Sequence, residues 1–343
     1  MSPHPADDEL PPGERVRRLV MGFRATQLVH VAARLGIADL LRDGPQGASA
    51  LATAVRAHPR ALYRLLRALA SLGLFAEMPG GQFQLTSLGE TLRSDASGSL
   101  RPLALLYGEE WVWRAYGHVF HSVMTGRPAF EHVHGQGLFD YMQRHPEAAA
   151  AFDGGMTAYS EQEAAAIIAA YDFADAGTIV DIGGGAGALL ASILAAHPRA
   201  RGVLFEQPGV IDRARDLMTR AGVVDRCVTE GGDFFERVPS GGDLYVLKSV
   251  LHNWDDTDGV TILRTCRSAM HRRARLLIIE RVIPEGNEAS EAKLFDINML
   301  VMLSGLERTV DEYRTLLRTG GFDLTRVIPT AAAPVSLLEA ATT

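Results

Sequence analysis

The spacing of apolar positions changes once along this chain, near Thr178. Before that point apolar residues recur at intervals of three and four, the period of helices with one buried face. The run from Ala25 to Leu35 has this spacing, and Gly36 follows it as a stop signal. A short helix is expected from about Ser49. In ALYRLLRALASLGL, Leu62, Leu65, Leu66, Leu69 and Leu72 form one stripe and Gly73 ends it. Two short strand-like runs flank Pro79-Gly80-Gly81, which predicts a hairpin. Helix, helix, hairpin is the order of a winged helix. Beyond it, residues 101–170 read as helices and loops. Within them WVWRAYGHVFHSVM predicts an aromatic helix that is mostly core, with Trp111, Tyr116 and Phe120 as candidates to reach a ligand.

From Thr178 strand-like runs alternate with helical ones. TIVDI, GVLFE, LYVLK and RLLIIERV are short apolar runs separated by helical stretches, which implies a mostly parallel sheet covered on both faces. DLTRVIP and SLLEAA are separated only by Thr330–Pro334, too few residues for a crossover helix, so these two should pair antiparallel. The organisation expected is therefore a disordered, proline-rich stretch over 1–14, a winged-helix-like domain over 15–100, a helical region over 101–170 and a Rossmann-like α/β domain over 171–343.

A chain of 343 residues suits two domains of ordinary globular composition. Its formal net charge of −7 disfavours a general binder of nucleic acid or anionic membrane. Residues 1–110 carry 12 Arg and 11 Asp or Glu, nearly neutral for a domain that would have to grip DNA, although Arg60, Arg64 and Arg67 lie on the helix that would enter a groove. Two cysteines, Cys227 and Cys266, make no disulfide framework and lack metal-site spacing. The N-terminus lacks the pattern of a signal peptide, and no apolar run is long enough to span a membrane. A cytoplasmic protein is expected.

VDIGGGAGALL follows a strand and opens a helix. Gly183, Gly185 and Gly187 let the backbone turn tightly and approach a ligand closely. Glu206 ends the next strand, where an acid can accept hydrogen bonds from ribose hydroxyls. Nicotinamide and adenosyl cofactors both satisfy this logic. Asp233 and Phe234 in GGDFFE stand near the end of the third strand, where a carboxylate can accept from an adenine amino group and an aromatic can cover the ring. LYVLKSVLHNWDD places Lys248, His252 and Trp254 at and beyond a strand's carboxyl end, the side on which open α/β sheets bind ligands.

VDIGGGAG, GGDFFE, LKSVLHNWDD, LLIIERVIP and GLERTVDEYRTLLRTGGF stand in the order seen in class I S-adenosylmethionine-dependent methyltransferases, in the group of plant caffeate and isoflavone and bacterial antibiotic O-methyltransferases. ALYRLLRALASLGLF and FQLTSLGETLRSD resemble that family's N-terminal dimerisation domain, so the resemblance covers the chain from about residue 15. It implies a seven-stranded Rossmann-like sheet, a homodimer and S-adenosylmethionine as cofactor, with S-adenosylhomocysteine as product. Gly183 and Gly185 would contact the cofactor, Glu206 its ribose, and Asp233 and Phe234 the adenine, with Lys248 and Trp254 completing the pocket. Glu206 stands where Asp is common in the family, and Phe234 where Met is. His252 would be the general base, flanked by Glu280 and Glu307. Phe152, Met156 and Met299 match positions that hold a flat aromatic acceptor, and Met302 is close by.

A lone histidine is more often structural than catalytic, and a methionine more often core. Two carboxylates beside the imidazole are what shift the reading, since they fix its tautomer and stabilise an imidazolium. The sulfonium is already an activated electrophile, so the chemistry lacks only a nucleophile. No HxxH, CxxC or carboxylate cluster argues for a metal, and Asp255-Asp256 reads as a helix cap. The expected activity is methyl transfer to a hydroxyl on a small aromatic molecule, a secondary metabolite by the resemblance. Competing readings are a family member with altered chemistry (N- or C-methylation, decarboxylation or hydroxylation), a ligand-sensing DNA-binding protein, and, for the glycine loop alone, a nicotinamide oxidoreductase.

Overall fold

The computed structural model describes residues 10–330 and 334–343, with the side chains of residues 212 and 213 left aside. The chain divides into two compact units, one ending at Trp113 and the other running from Arg114 to Thr343. The region expected over 101–170 is therefore split: its first part belongs to the first unit and the remainder to the second. Of the stretch expected to be disordered, residues 1–9 lie outside the described residues. A helix, Pro12–Met21, begins inside the rest of it, because proline at a first helical turn sacrifices no hydrogen bond.

In the first unit helices Phe23–Leu35, Ala48–Ala54 and Pro59–Ser71 precede a hairpin of β2 (Phe75–Met78) and β3 (Gln82–Leu85), with the short β1 (Gln46–Gly47) on the other side of β3. This is the helix, helix, hairpin order expected. Gly36 takes the left-handed conformation (φ 65°) that closes the first of these helices. Leu62, Leu66 and Leu69 are spent inside the unit, against Ile37, Leu51, Phe75 and Phe83. Leu72, the last of the stripe, stays exposed, and the most exposed run of apolar side chains in this unit lies on Pro12–Met21 and just after it: Val16, Leu19, Val20 and Phe23.

The second unit is built on a seven-stranded sheet in the order β6-β5-β4-β7-β8-β10-β9. β4 (Thr178–Ile182), β5 (Arg201–Glu206), β6 (Cys227–Gly231), β7 (Leu244–Lys248) and β8 (Arg275–Glu280) are parallel. β10 (Ser336–Thr342) runs antiparallel to both β8 and β9 (Phe322–Pro329), as the short Thr330–Pro334 connection requires. Alternate residues serve opposite faces. Ile179, Leu244, Val246, Leu277 and Ile279 pack with Ile167, Leu190 and Leu194 on one side. Val180, Tyr245, Leu247, Leu276 and Ile278 pack with Ile262, Leu263 and Leu316 on the other. Helices on both faces leave the carboxyl ends of β4, β5, β7 and β8 as the place where polar side chains can gather.

Candidate active site

Those strand ends open into one cavity of about 690 Å³, within the range typical of small-molecule sites. Its floor is the loop after β4. Gly183 has φ 66°, and a Cβ there would lie 2.9 Å from Val250 Cγ2, so this position needs glycine for both conformation and space. Asp181, at the end of the strand, is buried with both oxygens lacking a hydrogen-bond partner, and burial raises its carboxyl to about 7. Glu206 at the end of β5 accepts from the Gly185 N–H at 3.0 Å and the Gln207 N–H at 2.7 Å. It thus braces the glycine loop, and burial raises its pKa against the pull of those two donors.

Phe234 and Trp254 form one aromatic wall, ring centroids 6.1 Å apart and near perpendicular, and Phe139 lies parallel to Trp254 at 6.2 Å. Phe152 and Met156 also line the cavity, from the long helix Pro146–Ala170. Asp233 does not line it. Its carboxylate caps the following turn by accepting from the Phe235 N–H at 2.8 Å. Met299 and Met302 are buried near the end of helix Glu291–Met302 and also lie off the cavity, whereas Phe295, one turn before Met299, lines it. Trp111, Tyr116 and Phe120 are likewise absent from its lining; Phe120 is 74% exposed.

After β7 the chain turns sharply. Ser249 adopts φ 54°, unusual for a residue with a side chain, and is held there by its N–H bond to the Ile279 carbonyl and by Asn253 Nδ2 donating to its own carbonyl. This turn presents His252, on the short 3-10 segment Leu251–Asn253, to the cavity. The imidazole Nδ1 lies 2.8 Å from Glu307 Oε1 and 3.3 Å from Glu280 Oε2. All three side chains are buried. Glu280 Oε1 also accepts the Val250 and His252 N–H groups, so this carboxylate fixes the loop as well as the ring. In the tautomer whose Nδ1 donates to Glu307, Nε2 is the ring's acceptor. Burial pushes the imidazole below its usual range, with Glu280 opposing the shift. Burial also raises both acids, Glu307 to about 8. The three groups titrate as a unit.

Behind them Arg308 is fully buried and ties down the same loop. It donates to the Leu251 carbonyl at 3.1 Å, the Trp254 carbonyl at 2.9 Å and Asp256 Oδ1 at 3.0 Å. The Asp255-Asp256 pair thus divides its work, since Asp255 is the helix cap, accepting from the Asp258 N–H. Beside His252 stands a second charged group that sequence spacing did not single out. Glu163, on the helix lining the cavity, pairs with Lys248 at 2.7 Å and Arg281 at 3.5 Å.

The chain matches the O-methyltransferase domain model over residues 116–323 and the O-methyltransferase dimerisation domain model over 18–95. It belongs to this O-methyltransferase family. A phenazine O-methyltransferase of Lysobacter antibioticus is 46% identical over 94% of each chain. A phenazine-1-carboxylate N-methyltransferase of Pseudomonas aeruginosa is 33% identical over 91% of this chain and 92% of the relative, so nitrogen acceptors occur among its relatives too. The crystal structure of LaPhzM, at 45% identity, covers 97% of this chain and 100% of that one with a TM-score of 0.94. Other solved relatives contain S-adenosylmethionine or S-adenosylhomocysteine. The chain is accordingly a methyltransferase that uses S-adenosylmethionine, and the glycine loop does not mark a nicotinamide oxidoreductase. The cavity fits such a cofactor: a glycine cradle that a Cβ would fill, an orphaned buried carboxylate at Asp181 and an aromatic wall. No helix among the described residues is long and apolar enough to cross a membrane.

Proposed function

We propose that this methyltransferase moves the methyl group to a hydroxyl on a small aromatic secondary metabolite, with His252 as the general base. The observation that carries the reading is the 2.8 Å contact between His252 Nδ1 and Glu307 on a histidine that lines the same cavity as the glycine loop. When bound, S-adenosylmethionine supplies a methyl carbon already activated by its sulfonium. Gly183 and Gly185 would let it approach the backbone closely, Glu206 would take the ribose, Phe234 would cover the adenine, and Lys248 and Trp254 would complete the pocket, while Asp233, off the cavity, would act only by capping the turn that carries Phe234. His252 Nε2 takes the acceptor's proton as the oxygen attacks. A phenol titrates near ~10 and imidazole near ~6.5, so proton removal concerted with attack costs less than prior ionisation. Glu307 and Glu280 hold the ring and stabilise its charged form. Phe152, Met156 and Phe295 flank a flat acceptor, Met299 and Met302 support that wall from behind, and the aromatic surfaces exclude water. A methyl-transfer assay over a panel of aromatic phenols and amines, with product structures determined, tests the reading. Products methylated on nitrogen alone would replace it.

Glu206→Ala should weaken S-adenosylmethionine binding tenfold or more, and Asp233→Ala should weaken it less, through the lost cap on the turn that carries Phe234. A hydrogen bond to a charged group is worth roughly 1.5–3 kcal/mol. Glu206→Ala in addition removes the brace on the Gly185 N–H. Calorimetry on folded variants reads this directly, and unchanged affinity in both would remove the cofactor placement.

His252, Glu280 and Glu307 offer ligand atoms all within 4.8 Å of one another, a donor set that a divalent metal can also use. The base reading predicts full activity in EDTA. Activity lost on chelation and restored by a divalent ion would make the cluster a metal site.

A homodimer is the expected assembly, through the dimerisation domain and the exposed apolar side chains of Val16, Leu19, Val20 and Phe23. Light scattering at micromolar concentration should give about twice 37.1 kDa. A monomer there would leave those side chains without the cover proposed.

A further inference from the structure

Lys248, Glu163 and Arg281 form a buried charged group that proton transfer at His252 does not use. All three side chains are more than nine-tenths buried and all three line the cavity. Two cations share one carboxylate. Glu163 Oε2 is 2.7 Å from Lys248 Nζ, while its Oε1 is 3.5 Å from Arg281 Nη2, too far for a good hydrogen bond. Lys248 Nζ also donates to Ser160 Oγ at 3.3 Å, and its charge acts on the unpartnered Asp181 carboxyl. Arg281 has no other carboxylate within ion-pair distance among the described residues, and its Nε and Nη2 are buried without a hydrogen-bond partner. Burying a guanidinium with idle N–H groups is costly unless something comes to meet them.

The surroundings say from which side a partner comes. The Arg281 guanidinium carbon lies 4.1 Å from the centroid of the Phe295 ring and 5.3 Å from that of Tyr159. The His252 ring lies against the same Phe295, near parallel, with centroids 6.0 Å apart. Base and guanidinium are thus separated by no more than those two Phe295 distances combined, the span of a fused bicyclic aromatic with its substituents. A planar fork of N–H groups matches a carboxylate through two parallel bonds.

We propose that Arg281, backed by Glu163 and Lys248, is an anion-binding subsite of the acceptor pocket, and that the natural acceptor carries a carboxylate on the ring system whose hydroxyl faces His252. This rests on the methyltransferase reading above and narrows its substrate class. The other possible source of a carboxylate is the amino-acid end of the cofactor, and the experiment separates the two.

The 3-, 6- and 7-hydroxy-2-naphthoates and their carboxamides serve as probes, each titrated calorimetrically into the full-length protein saturated with S-adenosylhomocysteine. Acid and amide share shape and differ in charge. At least one acid should bind about tenfold or more tightly than its amide, the equivalent of one charge-assisted hydrogen bond. Arg281→Met should abolish that gap, Arg281→Lys should keep part of it, and both should bind S-adenosylhomocysteine within about threefold of the wild type. Equal affinity of acid and amide in the wild type, no binding of any probe, or a gap that survives Arg281→Met would overturn the proposal. Loss of S-adenosylhomocysteine affinity in Arg281→Met, with the melting temperature kept, would assign the subsite to the cofactor and overturn it as well. Should Arg281→Met not fold, the wild-type comparison and Arg281→Lys decide. Failure of the underlying reading looks different: no methyl transfer to any phenol, whatever the naphthoates do.

Discussion

His252→Ala is expected to lower kcat by about 10²–10⁴-fold, the usual contribution of a positioned acid–base group, while S-adenosylmethionine affinity stays nearly unchanged. That loss corresponds to roughly 3–5 kcal/mol of transition-state stabilisation. The split between kcat and cofactor affinity follows from geometry: the imidazole is held by Glu307 and Glu280, and the glycine loop by Glu206. Glu307→Gln and Glu280→Gln should cost less, since each orients the ring without taking the proton. The pH profile gives an independent reading. Burial lowers the pKa of His252, so the working neutral form persists below pH 6.5 and activity falls only as the pH drops through that lowered value. In His252→Ala this acid limb should vanish, and the rate should climb with pH as solvent ionises the phenol near ~10. An alanine variant with full activity at neutral pH on the native substrate would leave the site as a positioning device, with the acceptor finding its base in water.

What the sequence discloses about this site, and what it hides, follows from how far apart the partners stand along the chain. The strand ends are legible because short apolar runs give way to Gly, Lys or Glu at Gly183, Glu206, Lys248 and Glu280. His252 and its two acids follow from motifs at those ends. Glu163 was not legible. It stands beside Glu161 and Gln162 in a helix, where such polar residues read as a solvated face, and only folding brings it to Lys248. Arg281 had a faint signal, a second charge directly after a buried strand's last residue, but one residue's alternation does not say which way a side chain turns. The resemblance places Met299 in the pocket; it shares a helix face with Phe295 one turn earlier, and Phe295 is the residue of the two that lines the cavity. The leucine stripe at 62–72 is an apolar face of which Leu62, Leu66 and Leu69 are buried inside the first unit and Leu72 stays exposed, and the apolar side chains exposed on Pro12–Met21 carry no comparable signal.

Gly305→Ala is expected to cost kcat about 10²-fold although residue 305 touches neither cofactor nor acceptor. A Cβ at this buried glycine would lie 1.9 Å from the His252 carbonyl oxygen and 2.4 Å from the Asn253 carbonyl carbon, both backbone atoms with no flexible end to move aside. The loop must shift, and it is held from several directions. Arg308 grips the Leu251 and Trp254 carbonyls, and Glu280 holds the Val250 and His252 N–H groups. A forced displacement therefore falls on the hydrogen bond from His252 Nδ1 to Glu307 and on the aim of Nε2. Misplacing a reacting group by about 1 Å can cost on the order of 10² in rate. The melting temperature should fall as well, because overpacking a buried site costs typically 1–3 kcal/mol. Since the glycine loop and Glu206 lie on other strand ends, S-adenosylhomocysteine affinity should stay within about threefold of the wild type. Measuring kcat, that affinity and the melting curve together separates a displaced base from a misfolded chain. A folded Gly305→Ala enzyme with wild-type kcat would mean that the loop tolerates the shift, and that the position of His252 matters less to the reaction than its contacts with Glu307 and Glu280 imply.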